Sequence, residues 1–184
     1  MSIAALTCNY MRAQAKAVRI RKGWKKPPEG KLMVNVDASF ADGMGSTGVV
    51  IRDSSGGFVA ALTSFLQSVL DAPMAEAYAL KEGLCLVNQI GCTNFILQSD
   101  CQEVIDIMKD GGFTASAAAP ILEVCYDLIY GGIYPLATIE HCDREANQVA
   151  HELARQALEE KVSCIWVDSQ PTYITPSIQL SKAH

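Results

Sequence analysis

At 184 residues, with 49% hydrophobic and 19% charged residues, the chain can bury enough apolar surface for one domain plus a short extension, which excludes disorder throughout. No apolar run reaches the ~20 residues of a membrane-spanning helix, because the most hydrophobic stretch, Phe58 to Leu70, is interrupted by Thr63, Ser64, Gln67 and Ser68. The formal charge of −5 is unevenly spread: residues 1–31 carry eight basic groups against Glu29 alone, and the remainder seven basic groups against nineteen acids. A basic arm on an acidic body can tether phosphate backbones, or be no more than a solvated linker.

The N-terminus lacks the basic-then-apolar order of a signal peptide, since Arg12, Lys16 and Arg19 follow a weakly apolar start. The seven cysteines are odd in number and none stands in CxxC spacing. Both features predict an intracellular chain, nuclear or cytoplasmic, with free thiols and no membrane contact. Cys85 and Cys125 are expected on apolar helix faces as small buried hydrophobes.

In chain order, Pro27-Pro28-Glu29-Gly30 is a breaker cluster that separates a basic arm, residues 1–30, from a body that starts near Lys31. Leu32 to Phe40 alternates loosely and reads as a strand. The turn-rich ADGMGS leads into TGVVIRD, and the Asp53–Gly57 turn into FVAALTSFL, so the first three strands form an antiparallel meander. Helical spacing of Ala79, Leu80, Leu84 and Val87 predicts a helix from Pro73 to Ile90, closed at Gly91. A short buried strand follows over Thr93–Ser99, then helices from about Cys101 to Lys109 and from Pro120 to Tyr130. A strand over Tyr134–His141 and a helix over Ala146–Glu160 complete the body at about residue 168. The tail, 169–184, is expected to be irregular because of Pro171 and Pro176. The pattern is a mixed sheet with helices against it.

Three carboxylates stand in unusual places. Asp37 lies within an apolar strand, where an unpaired charge costs on the order of several kcal/mol. Glu76 shares a helix stripe with Ala79, Leu80, Gly83 and Leu84, although a Glu near a helix start also suits the macrodipole. Asp100 ends a strand, where sites collect in open sheets, and equally suits a helix N-cap. Gathered together, the three would make a hard-cation site.

The strings VNVDASF, AEAYAL, LQSD and REANQVAHELA, in this order and at these separations, resemble ribonuclease H. More closely they resemble the ribonuclease H-like domain of plant proteins and plant non-LTR retroelements. The resemblance runs from about Trp24 to Pro171. It implies an α/β fold, ribonuclease H-like, with a five-stranded mixed sheet flanked by helices, and cleavage of the RNA strand in RNA–DNA hybrids by a monomer. Asp37, Glu76 and Asp100 match the family's first three catalytic acids. They imply two ions of Mg2+ or Mn2+, about 4 Å apart, that activate water and stabilise the leaving oxygen. His141 matches a flexible-loop histidine of the family, and Ser39, Asn147 and Arg144 are the candidate nucleic-acid contacts.

His151 departs from the pattern, since active enzymes of the family carry a fourth Asp there. As a ligand it brings no negative charge and suits magnesium poorly. Two readings follow: a magnesium-dependent ribonuclease, active or weakened, and a non-catalytic nucleic-acid-binding or interaction domain derived from a retroelement. A 3′–5′ exonuclease is disfavoured because Asp37-Ala38-Ser39 lacks D-x-E.

Overall fold

The computed structural model describes residues 23–113 and 116–182. Most of the basic arm, residues 1–22, lies outside the described residues, as does Cys8. Among the described residues no helix is long and apolar enough to cross a membrane.

Six strands form one sheet in the order β5-β4-β1-β2-β3-β6. β1 (Leu32–Ala41), β2 (Met44–Arg52) and β3 (Phe58–Leu66) are the expected antiparallel meander, and β4 (Phe95–Ser99) and β5 (Thr138–His141) extend it in parallel from β1. β1 lies inside the sheet with helices on both faces, which is why it is buried over Met33–Asp37. Val34 and Val36 face one side and Asn35 and Asp37 the other, because successive side chains of a strand alternate.

On the Val34/Val36 face lie α1 (Ala72–Gln89), α2 (Gln102–Asp110) and α3 (Ala119–Tyr130), which close the larger core around Leu80, Leu84, Phe95, Leu97, Ile105 and Leu122. Asp71 starts α1 by accepting from the Met74 N–H at 2.9 Å, with Pro73 in the first turn. Gly83 brings α1 onto β1, since a Cβ there would lie 2.8 Å from Val36 Cγ1. The opposite face is covered by α4 (Gln148–Glu160), with Val149, Ala150 and Leu153 against Val50 and Ala61. Gly48 on β2 permits that approach: a Cβ there would collide with the Ala150 carbonyl and the Ala154 amide.

Four features differ from expectation. The described body begins before Lys31: Trp24 is buried, donates its indole N–H to Asn35 Oδ1 at 3.0 Å and lies under the Arg52 guanidinium at 3.5 Å. β5 starts at Thr138 rather than Tyr134, because Pro135 has no N–H for a ladder, and Tyr134 instead packs edge-on against Phe95. Cys85 is exposed, on the side of α1 that carries Lys81 and Gln89, while Cys125 is buried.

The tail is the fourth difference. Cys164–Val167 forms a sixth strand, β6, against the outer edge of β3. A 3-10 turn (Thr172–Ile174) and α5 (Thr175–Lys182) follow in place of the irregular segment expected over 169–184. Both prolines fit: Pro171 caps the turn and Pro176 stands in the first turn of α5, where a missing N–H costs nothing. Ile174 and Ile178 bury themselves against Val149 and Leu153, and that apolar contact holds the segment in place.

Candidate active site

The parallel pairing of β1 and β4 sets the site. Asn35 is opposite Gln98, so Asp37 and Asp100, each two residues further on, come side by side at the carboxyl ends of the two strands. Asp37 also pairs with Gly48 across β1 and β2, and opposed residues share a face. The helix that Gly48 admits therefore delivers His151 directly onto Asp37, with His151 Nδ1 donating to Asp37 Oδ2 at 2.8 Å. From the other face, the first turns of α1 bring Glu76. Asp37, Ala38, Glu76, Asp100, Cys101, Arg144 and His151 line one cleft of about 280 Å³.

The electrostatics are those of crowded, buried acids. Burial pushes the Glu76 carboxyl up to about 9, with repulsion from Asp37 and Asp100 added, and its Oε2 is buried without a hydrogen-bond partner. Burial and then repulsion from Asp100 also raise Asp37, outweighing the His151 hydrogen bond that acts in the opposite sense. Cys101 is raised to about 11, chiefly by burial, so its thiol stays neutral. Such a cluster favours protons or cations.

Asp100 does not cap a helix. Cys101 occupies the N-cap of α2, and Asp100 Oδ1 accepts from Asn147 Nδ2 at 2.9 Å. The same amide donates to the Val36 carbonyl at 2.9 Å, so Asn147 ties together β1, the end of β4 and the start of α4. Asn147, expected as a nucleic-acid contact, is only 1% exposed, and its amide is engaged in positioning Asp100.

His141 ends β5, with Nε2 at 3.3 Å from the Asp100 carbonyl. It lines a neighbouring cleft with Lys25, Gln98 and Asp143, outside the one that holds the three acids. Ser39 is partly exposed, one pleat beyond Asp37 on the same face, and is not among the lining residues. Cys101 and Gly48 escaped the sequence reading. The signals were adjacency to Asp100 for the first and, for the second, a glycine within an apolar strand, which marks a close approach.

Among the described residues no group of three or more His, Cys, Asp or Glu side chains is arranged to hold a metal ion. The oxygen donors nonetheless suit a hard cation, because Glu76 Oε2 is buried and unsatisfied. Magnesium characteristically takes one or two carboxylates with water and substrate phosphate rather than an all-protein cage.

Residues 35–157 match the family described as reverse transcriptase-like. No curated protein matches in sequence. Among solved structures, RNase H1 of the halophilic archaeon Halobacterium salinarum is similar, with a TM-score of 0.64 and 22% identity over 71% of this chain and 99% of that one. The N-terminal RNase H domain of a Mycobacterium tuberculosis protein gives 0.62 and 19% over 71% and 94%. LC11-RNase H1, isolated from compost and solved in complex with an RNA/DNA hybrid, gives 0.64 and 18% over 71% and 99%. With a six-stranded sheet among the described residues and the acids at the carboxyl ends of β1 and β4, the chain belongs to the reverse transcriptase-like family and has the ribonuclease H-like fold.

Proposed function

We propose that this protein binds nucleic acid and hydrolyses the RNA strand of RNA–DNA hybrids, using Mg2+ or Mn2+ held by Asp37, Glu76 and Asp100, with His151 where a fourth carboxylate would stand. The observation that carries the reading is the convergence of these four side chains, far apart in sequence, on one cleft. A likeness to LC11-RNase H1, which was solved with a hybrid, adds support from the fold.

The divalent ions, when bound, would activate water and stabilise the leaving 3′ oxygen. This chain's own residues prepare that chemistry. Desolvation leaves Asp37 and Glu76 as strong acceptors of positive charge. Asn147 holds Asp100 in orientation beside Asp37 through Oδ1. His151 restrains Asp37 Oδ2 and stands as an imidazole where a carboxylate would contribute negative charge. Contacts to 2′-hydroxyls and hybrid shape would select the RNA strand, with little dependence on sequence.

One observation favours a second reading. The His151–Asp37 contact already satisfies one oxygen of the central acid, as a stable binding domain without catalysis would have it. Incubating the full chain with a labelled RNA–DNA hybrid and either Mg2+ or Mn2+ separates the two. Metal-dependent cleavage of the RNA strand supports the ribonuclease, and hybrid binding without cleavage supports the binding module.

A further inference from the structure

We propose that Arg144 positions the nucleic-acid backbone at the acidic cleft, its guanidinium grasping two oxygens of a phosphate beside the one that is cut. The inference rests on the hybrid-binding reading above and deepens it by giving one contact to one side chain. A cleft lined by Asp37, Glu76 and Asp100 repels a polyanion, and among the described residues Arg144 is the one arginine or lysine that lines it. Its fork of N–H donors matches a phosphate bidentately, which a lysine ammonium does not.

The guanidinium is available for that purpose. Of the three arginines within the described residues, Arg52 is buried over Trp24 and Arg155 pairs with Glu159 along α4. Arg144 is exposed and forms no ion pair among the described residues. It does not serve the acids either, since the side chain that favours the charged form of Asp37 is His151, and for Glu76 burial is joined only by repulsion from Asp37 and Asp100.

The backbone that carries Arg144 is pinned to both acid-bearing strands. The Cys142 N–H donates to the Ser99 carbonyl at 3.0 Å, and the Asn147 N–H donates to the Arg144 carbonyl at 3.1 Å. The Asn147 side chain then reaches Val36 and Asp100, both at 2.9 Å. The fixed base removes the backbone's share of the ordering cost, so that capture of a phosphate has only the side chain to order.

The test uses the full chain and a fluorescent RNA–DNA hybrid in EDTA, so that nothing turns over, across a range of salt. Arg144→Ala should weaken binding by about tenfold at low salt and reduce the slope of log K against log salt by about 0.9. Arg144→Lys should keep the slope while recovering only part of the affinity. Arg155→Ala, as a control, should change neither. Scanning the hybrid with single neutral methylphosphonates should find a position where the parent loses affinity and Arg144→Ala loses none. With Mg2+, Arg144→Ala should raise KM and leave kcat within about twofold. If the parent binds but Arg144→Ala keeps the parent's salt slope and methylphosphonate pattern, Arg144 does not hold a phosphate and the inference falls, while the hybrid reading stands. A parent that neither binds nor cleaves the hybrid removes the reading itself.

Discussion

Asn35 and Asp37 are two residues apart on the same face of β1, both polar and both buried, yet their surroundings are opposite. Asn35 is fully engaged: its Oδ1 accepts from Trp24 Nε1 at 3.0 Å and Arg52 Nη2 at 3.1 Å, and its Nδ2 donates to Gln98 Oε1 at 3.2 Å. Among the described residues Asp37 has one side-chain partner, His151, and faces two other acids. A neutral amide in a completed network costs little to bury and fixes packing; an acid left short of compensation costs stability and stores affinity for a cation. The comparison separates a structural polar residue from a chemical one on a single strand.

The largest expected effect comes from breaking the chemical half. Asp37→Asn should reduce metal-dependent hybrid cleavage by about a thousandfold. Melting temperature should stay the same or rise, because a desolvated charge is removed. A large loss of stability would place Asp37 with Asn35 as a structural residue.

Breaking the structural half should do the reverse. Asn35→Ala removes the acceptor of Trp24 Nε1 and Arg52 Nη2 and the donor to Gln98 Oε1, and should cost about 3 kcal/mol in urea unfolding. Cleavage per folded molecule should be unchanged within about twofold.

Gly48 is opposite Asp37 and holds the two halves in register with α4. Gly48→Ala should push α4 away through the Ala150 carbonyl, costing about 2 kcal/mol. Because His151 and Asn147 move with that helix, cleavage should fall by about tenfold, more than the stability loss alone predicts in a fully folded sample.

The stored charge should be visible in the pH dependence. Glu76 is raised from its ordinary 4.5 to about 9, so the native state keeps a proton that the unfolded chain has released, and stability falls as pH rises between those values. Glu76→Gln should remove this slope, gaining on the order of 1 to 3 kcal/mol at pH 8 and nothing near pH 4. Urea unfolding at the two pH values measures both, and Mg2+ should restore part of the parent's loss at pH 8.

The smallest effect sharpens the comparison at its partner. His151→Asp replaces the side chain that compensates Asp37 with a fourth carboxylate. A nearby unit charge is worth about 1 kcal/mol or more, so magnesium-supported cleavage should rise severalfold, or be created where the parent shows none. Calorimetric titration with Mg2+ should report tighter binding in step. No change in either would remove His151 from the metal site.

Much of this was legible in the sequence because it is local or periodic. Alternation marked the meander, helical spacing marked α1 and α4, and glycines and prolines marked the turns. The positions of Asp37 and Glu76 among apolar neighbours already signalled carboxylates that something must compensate. Expectations failed where a residue's fate depends on what lies across from it. Pro135 shortened β5, and the tail prolines read as breakers until Ile174 and Ile178 found the α4 face. That Asn147 is buried with its amide on Asp100 likewise left no mark in the local sequence.

The sequence by itself determined which residues could be buried, the order of the elements, and the presence of acids at two strand positions and one helix stripe. These depend on composition and on periods of two and 3.6 residues. Only the tertiary structure decided that β1 and β4 align in parallel so that Asp37 and Asp100 meet, and that Gly48 admits α4 closely enough for His151 to reach Asp37. It also decided that Asn35 sits in a completed neutral network while Asp37 faces other acids. Register and the distance of helix to sheet are set by contacts between segments up to 114 residues apart, and short-range patterns carry no record of those contacts.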